Sequence, residues 1–291
     1  MPQPLFYVHA PGLLTTIQDG GRPGYAAQGV PVGGALDNWA ARVANLLVGN
    51  APGDAVLEIT LTGPTLRAER EIVIAVCGAD LSPQMDTLPL PMWHTVLVKQ
   101  GQTVRFVRRE SGARAYLAVA GGFSVPRVLG SRSTELRAGF GGFGGRALRA
   151  GDVLDANADN SSIAGRGRGL RASDIPQYPG HVRLRVIPGP QDQLFTDAAQ
   201  ALFFSATYTV ARQSDRMGYR LEGPPLSLHS QVADTLPSEG VTAGCVQVAG
   251  GRPLLLMADC GATGGYPVIG GVVRADLSQR LCRKVILVLT A

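Results

Sequence analysis

The densest concentration of reactive side chains is Ser214-Asp215-Arg216-Met217-Gly218-Tyr219-Arg220-Leu221-Glu222-Gly223, which holds two carboxylates, two guanidiniums, a hydroxyl and a phenol. The run is too polar for a core strand and too tightly punctuated by glycine for a long helix, so it is expected to form a loop around a site. Asp215 next to Arg216 suits a charge-assisted pair that would fix the planar guanidinium and leave its other donors for an anion, with Ser214 and Tyr219 at the rim. Two more polar stretches lie further on, Leu236-Pro237-Ser238-Glu239-Gly240 and Asp259-Cys260-Gly261-Ala262-Thr263-Gly264-Gly265-Tyr266-Pro267. Glu239 or Asp259 would serve as a general base if burial raised its proton affinity towards neutrality. Either carboxylate could equally pair with an arginine and simply hold a turn. Gly264 and Gly265 would let backbone N–H groups approach an anion, and Tyr266, held extended before Pro267, offers its ring as a wall. Ser238 and Gln247 complete the polar set on this half of the chain.

Arg22-Pro23-Gly24-Tyr25 repeats the Arg-x-Gly-Tyr spacing of Arg216 to Tyr219 and adds Arg22 and Tyr25 to the candidate binding residues. The repeat suggests a duplicated unit with related loops, although four residues also recur by chance. Other chemistries find less support. Cys260 has no histidine near it in sequence, which disfavours a catalytic cysteine, and no G-x-S-x-G elbow supports a serine triad. Cys77, Cys245, Cys260 and Cys282 are spaced too widely for structural zinc and read as reduced thiols, so no metal site is expected. Residues 139–144 satisfy a formal G-x-G-x-x-G. Without a strand before or a helix after, a flexible glycine loop is expected there and not a dinucleotide fingerprint.

The elements that must position these residues are short. With 38 glycines and 20 prolines in 291 residues, punctuation favours many strands and turns over long helices. A hydrophobic content of 45% against 17% charged marks an ordered globular chain long enough for two cores. The expected boundaries are a β-rich subdomain over 1–160, a Ser-, Gly- and Pro-rich linker over 161–181, and a second subdomain over 182–291. Leu36, Ala40, Val43 and Leu47 recur at helical spacing, with Asp37 as cap and Gly49 as stop, and a second helix is expected over 193–203. Strand-like runs at 56–61, 72–76, 95–98, 103–107 and 115–120 read as hairpins closing a barrel-like sheet, after a polar loop over 13–34. Strands return at 182–187, 208–211, 245–248, 254–257, 268–273 and 285–289.

The charge of +5 comes almost wholly from scattered arginines, with Lys99 and Lys284 the only lysines. No basic run is interleaved with aromatics, so nucleic acid is not an expected partner. The first residues lack a basic segment followed by an apolar one, and no apolar run approaches the ~20 residues of a membrane span, so a soluble cytoplasmic protein with no membrane partner is expected.

Several stretches carry a more specific signal. Thr16-Ile17-Gln18-Asp19 through Arg22, Gly24-Tyr25, Gly29-Val30-Pro31, Ala44-Asn45-Leu46-Leu47-Val48-Gly49-Asn50, Leu57-Glu58-Ile59 with Gly63-Pro64, Tyr116 to Gly122, Gly130-Ser131-Arg132-Ser133-Thr134, the 214–223 run and Gly264-Gly265-Tyr266-Pro267 follow in order over nearly the whole chain. Together they resemble the allophanate hydrolase subunit 2 family, also called KipA-like. That family includes the C subunit of bacterial 5-oxoprolinase and resembles a lobe of the urea carboxylase carboxyltransferase domain. One departure is Cys260-Gly261-Ala262, where the family pattern is expected to be more polar.

The resemblance implies a mainly β fold with a few helices and a cyclophilin-like β-barrel architecture. It also implies a KipI-like partner (the B subunit of 5-oxoprolinase), a third component (the A subunit) and ATP, with Mg, bound in the complex that opens 5-oxoproline to L-glutamate. Arg22 and Arg216 would then hold anionic groups, and Asp215, Glu239 or Asp259 would move a proton or contact a metal. Two alternatives stay open: a carboxyltransferase acting on urea or a related small amide with biotin carried by another protein, and a non-catalytic regulator that binds a KipI-like kinase inhibitor.

Overall fold

The computed structural model describes residues 3–157 and 167–277, and the backbone of 284–289. Two compact units emerge, one of Met1–Arg22 with Gly33–Tyr178 and the other of Pro23–Val32 with Pro179–Ala291. Of the expected linker, residues 161–166 lie outside the described residues. Residues 167–178 pack onto unit 1, where Leu170 N–H donates to Trp93 O at 2.9 Å and Tyr178 O–H to Asp37 Oδ2 at 2.7 Å.

Unit 1 contains β1 (Gln3–Ala10), β2 (Leu14–Gln18), α1 (Asn38–Leu47), β3 (Val56–Thr60), β4 (Thr65–Ala68), β5 (Ile72–Gly78), β6 (Pro83–Met85), β7 (Leu88–Pro89), β8 (Thr95–Val98), β9 (Thr103–Phe106), β10 (Arg114–Val119) and β11 (Val153–Ala156). These form a six-stranded sheet in the order β11-β1-β4-β9-β6-β7 and a five-stranded sheet in the order β2-β3-β10-β5-β8. The reason is visible in the two-residue period of β5. Ile72, Ile74 and Val76 enter the core shared by the two sheets, while Val73, Ala75 and Cys77 face the other way onto Ala40, Ala44 and Leu47 of α1. A strand apolar on both faces needs a layer on each side, so this half is two sheets and a helix, and the expected barrel-like closure is not found here. The expected loop over 13–34 begins with a strand: Thr15, Thr16, Ile17 and Gln18 of β2 are buried and pair with β3. Its polar residues concealed it, although threonine fits a pleated surface well.

The start of α1 is tied to a buried polar network. Glu58 Oε2 accepts from Leu36 N–H and Tyr116 O–H, both at 2.8 Å, and Tyr116 Oη accepts from Asp37 N–H at 2.7 Å. Asp37 caps the helix by accepting from Ala40 N–H at 3.0 Å. Burial pushes the Asp37 carboxyl up to about 6, against the opposing effect of its hydrogen bonds. Because the folded value lies above the unfolded one, this group's contribution to stability is full below about pH 4 and is lost as pH rises through about 6. Asp37→Asn, which keeps a capping oxygen but cannot ionise, is expected to remove that loss, worth at most about 3 kcal/mol and less where water reaches the half-buried group. Melting temperatures at pH 4.5 and 7.5 check this: the variant should gain on the parent chiefly at the higher pH.

Unit 2 contains β12 (His181–Pro188), α2 (Asp197–Ser205), β13 (Thr207–Val210), β14 (Gly218–Glu222), β15 (Glu239–Gly240), β16 (Cys245–Ala249), β17 (Arg252–Leu256), β18 (Thr263–Gly264), β19 (Val268–Val272), α3 (Arg274–Leu277) and β20 (Lys284–Leu289). Seven strands close a barrel in the order β12-β19-β16-β17-β14-β13-β20, and β15 pairs with β18 in a separate ribbon. Closure pairs every strand on both sides and leaves no open edge. The second helix starts at Asp197, later than its expected first residue 193, because Thr196 accepts from Ala199 N–H at 3.2 Å and caps it there. Residues 192–194 form a separate 3-10 turn. Among the described residues no helix is long and apolar enough to cross a membrane.

Candidate functional site

Half of the expected polar loop is a barrel strand. In β14, Tyr219 and Leu221 are buried while Arg220 and Glu222 are exposed, the alternation of a strand with one face in the barrel. Tyr219 lies opposite Leu255, which is fully buried, so its ring faces the barrel interior and not a rim. Arg220 takes the outward face in its place.

That outward face is the floor of a cavity of about 220 Å³. Arg220 lies opposite Leu254 of β17, and Leu254 lies opposite Gln247 of β16, so the three line one side of the wall in register. Gly218 and Leu256 extend the floor, and a Cβ at Gly218 would stand 2.9 Å from Leu254 Cδ1. The walls come from Gln213 and Asp215 on one side and Cys260, Gly261 and Thr263 on the other. A bulge between Val246 and Gln247, where β16 meets β19, falls at this place.

The loops that make the walls are held from behind by Arg216 and Asp259. Arg216 Nε and one terminal nitrogen donate to the two carboxylate oxygens of Asp259, each at 2.7 Å, with the residues 3% and 6% exposed. The backbone reinforces the pair, since Asp259 N–H donates to Arg216 O at 2.9 Å and Met257 N–H to Met217 O at 2.9 Å. Arg216 therefore pairs with Asp259 and not with Asp215. Asp215 Oδ1 instead accepts from Met217 N–H and Gly218 N–H at 2.8 and 3.2 Å, closing its own turn. Ser214 Oγ accepts from Arg220 N–H at 3.1 Å, so it too belongs to the turn.

A second cavity, about 60 Å³, lies across the β15–β18 ribbon and is lined by Gln191, Glu239, Cys245, Gly264 and Tyr266. Glu239 is exposed, unlike the buried base expected from sequence, and its Oε2 accepts from Gln191 Nε2 at 2.8 Å. Gln247 connects the two cavities: it lines the first, and its Nε2 donates to the backbone oxygen of Tyr266 in the second at 3.0 Å. Gly264 is small for a packing reason, because a Cβ there would lie 2.9 Å from Gln247 Oε1. Gly265 O accepts from Leu236 N–H, and a Cβ at Gly265 would be 3.5 Å from Ser238 Oγ. Gly264 thus serves close packing of the chain on itself.

The remaining candidates lie elsewhere. In unit 1 the Arg22 guanidinium is 1% exposed, stacks 4.8 Å above the Phe140 ring and donates to Ser133 O. Beside it Asp19 gathers Ser131 Oγ, Ser133 Oγ and Arg132 N–H, each at 2.6 Å, which joins two of the sequence motifs into one clasp. The glycine run over 139–145 packs here: Glu135 N–H donates to Phe140 O at 2.9 Å, and a Cβ on Gly141 would stand 3.0 Å from Arg22. Tyr25 begins a 3-10 turn, whereas Tyr219 sits in a strand, so the repeated tetrapeptide adopts two local structures. Cys77, Cys245 and Cys260 are free thiols, and Cys282 lies outside the described residues. Burial, then Cys245 and Asp259, push the Cys260 thiol up to about 11, which keeps it protonated and unsuited to attack. Among the described residues no three His, Cys, Asp or Glu side chains converge as a metal site would require.

Of the residues expected from sequence, the larger cavity takes in Asp215 and Gln247 and the smaller one Glu239, Gly264 and Tyr266, whereas Arg220, Gln213, Thr263 and the leucine floor were not among them. The available signal was the period-two pattern Tyr219, Leu221 against Arg220, Glu222.

Comparison with known proteins matches this architecture. Residues 28–281 match the family described as Carboxyltransferase domain, subdomain A and B. The C subunit of the 5-oxoprolinase of Escherichia coli (strain K12) is 39% identical over 267 residues, covering 91% of this chain and 84% of that protein. The solved structure of TTHA0988 superposes with a TM-score of 0.85 at 37% identity, over 99% of this chain but only 55% of that one. The K. lactis urea amidolyase superposes at 0.91 and 30% identity, over all of this chain and 19% of the larger one. The chain belongs to the carboxyltransferase-domain family of subdomains A and B, among relatives that include the C subunit of 5-oxoprolinase and urea amidolyase.

Proposed function

We propose that the chain is the C subunit of an ATP-dependent 5-oxoprolinase, acting with a KipI-like partner (the B subunit) and a third component (the A subunit), and that its outer-wall cavity receives the lactam. The observation that carries this is reciprocal coverage: the match to the bacterial protein spans most of both chains, whereas in urea amidolyase the same region is one part of a much longer protein. The reaction adds water across the ring C–N bond, so the carbonyl carbon becomes a carboxylate and the nitrogen leaves as an amine. An unactivated lactam is a poor electrophile, which is why ATP hydrolysis is coupled to it.

The cavity suits the lactam better than the nucleotide. At about 220 Å³, with Arg220 as the one cation among its described lining residues, it fits a compact molecule with a single negative charge and does not match a triphosphate. ATP and Mg are therefore assigned to the partner proteins. Arg216 and Asp259 act as the brace of the loops. Free Cys77, Cys245 and Cys260 suit a cytoplasmic location.

Carboxyl transfer from biotin carried on another protein to urea or a similar amide is the second reading, favoured by the superposition of the whole chain on urea amidolyase. The purified chain, its KipI-like partner and the third component, tested singly and together, decide between them. ATP hydrolysis stimulated by 5-oxoproline only in the complete mixture is the expected result. No stimulation, together with carboxybiotin-dependent turnover of urea, would favour the transferase.

A further inference from the structure

The cavity on the β14–β17–β16 wall carries one cation whose charge the protein leaves unused. Arg220 is exposed, and among the described residues its guanidinium forms no ion pair, in contrast to Arg216 behind the same loops. Asp215, the other charged group of the lining, is directed by its bonds to Met217 and Gly218 N–H. The same cavity is lined by Gln213, Gln247 and Thr263, over an apolar floor of Leu254 and Leu256.

From this set we infer that Arg220 reads a carboxylate on the bound amide, and that the cavity selects small carboxylated lactams over uncharged amides such as urea. The inference deepens the proposed function and rests on its reading of the site. A guanidinium presents paired donors that match a carboxylate, and here an apolar wall lowers the competition from water. Arg220 and Gln247 are separated by one strand, β17, so their Cα positions are roughly 10 Å apart. A five-membered ring carrying one carboxylate would bridge the space between the two side chains. Gln247 is fixed in the opposite position by its bond to Tyr266 O and by Gly264 against its amide, so it holds the amide end while Arg220 holds the acid. Urea has an amide end only and leaves the cation without a partner.

Titration of the full chain with 5-oxoproline and with 2-pyrrolidinone, the same lactam without the acid, tests this. The parent chain should bind 5-oxoproline at least about tenfold more tightly. Arg220→Gln should weaken 5-oxoproline by about 10- to 100-fold and change 2-pyrrolidinone less than about twofold. Arg220→Lys, which keeps charge without the fork, should fall between, and melting temperature verifies that both variants fold. Equal binding of the two lactams by the parent chain, no binding of either, or an equal loss for both in Arg220→Gln would overturn the assignment. Turnover in the reconstituted complex separates the two ideas. If Arg220→Gln supports 5-oxoproline-stimulated ATP hydrolysis at an unchanged KM, the carboxylate contact is wrong and the oxoprolinase reading stands. If the chain binds lactam acids through Arg220 yet the complex never turns them over, the site stands and the oxoprolinase reading falls.

Discussion

Asp259→Ala is expected to destabilise unit 2 by about 3–5 kcal/mol, because it removes the carboxylate that faces the Arg216 fork and leaves that charge in a site sealed from water. The two bonds of 2.7 Å and the burial of both side chains make this a pair whose partners depend on one another. Removing both charges should cost far less. Arg216→Met with Asp259→Leu exchanges the pair for apolar groups of similar length, so the double variant should regain most of the loss, since desolvating two ions offsets much of their attraction. Hydrogen exchange of the 214–222 and 252–260 backbone reads the effect where it occurs. Asp259→Ala within about 1 kcal/mol of the parent would mean that the pair does not brace these loops. The functional consequence follows from place: Asp215 and Met217 flank Arg216, Cys260 flanks Asp259, and all three line the larger cavity. The double variant should therefore fold but bind lactam more weakly than the parent, which separates the brace's role in shaping the walls from its role in stability.

The second large effect lies in unit 1. Glu58 is 1% exposed, accepts from Leu36 N–H and Tyr116 O–H, and lies 3.7 Å from the Arg114 guanidinium. Glu58→Ala deprives a backbone donor and a phenol of their acceptor and opens a void between α1 and the five-stranded sheet. A cost of about 3–5 kcal/mol is expected. Glu58→Gln retains an oxygen for both donors and loses only the charge, so about 1–2 kcal/mol is expected. The chain's two tryptophans, Trp39 and Trp93, meet at a tilt with ring centroids 5.5 Å apart within this unit, so denaturation followed by tryptophan fluorescence reports on it directly. A Glu58→Ala curve that overlays the parent's would refute the role given to the network.

How much of this was legible depended on whether a residue's role is local. The start of α1 was readable, because Asp37 and the spacing of Ala40 and Leu47 act within a few turns of helix. So were the runs at β5, β8 and β10, where apolar residues are contiguous. β2 and β14 were concealed because strands can bury threonine and glutamine or expose arginine on alternate positions, and only neighbouring strands decide which. The pairing of Arg216 was equally out of reach. Asp215 is adjacent in sequence, yet the turn bends its carboxylate onto its own backbone, and the partner comes from 43 residues further on. Gly264 was recognised as important, but the reason, close packing on Gln247, exists only after β16 and the ribbon are brought together.

The proposed function places a small carboxylated amide on the outer wall of the barrel. Backbone amide shift mapping of isotopically labelled chain, titrated with 5-oxoproline, tests it most directly. Perturbations that saturate together at Gly218, Arg220, Gln247 and Thr263 are the predicted result. Perturbations confined to unit 1, or none at any ligand concentration that saturates turnover in the complex, would contradict it.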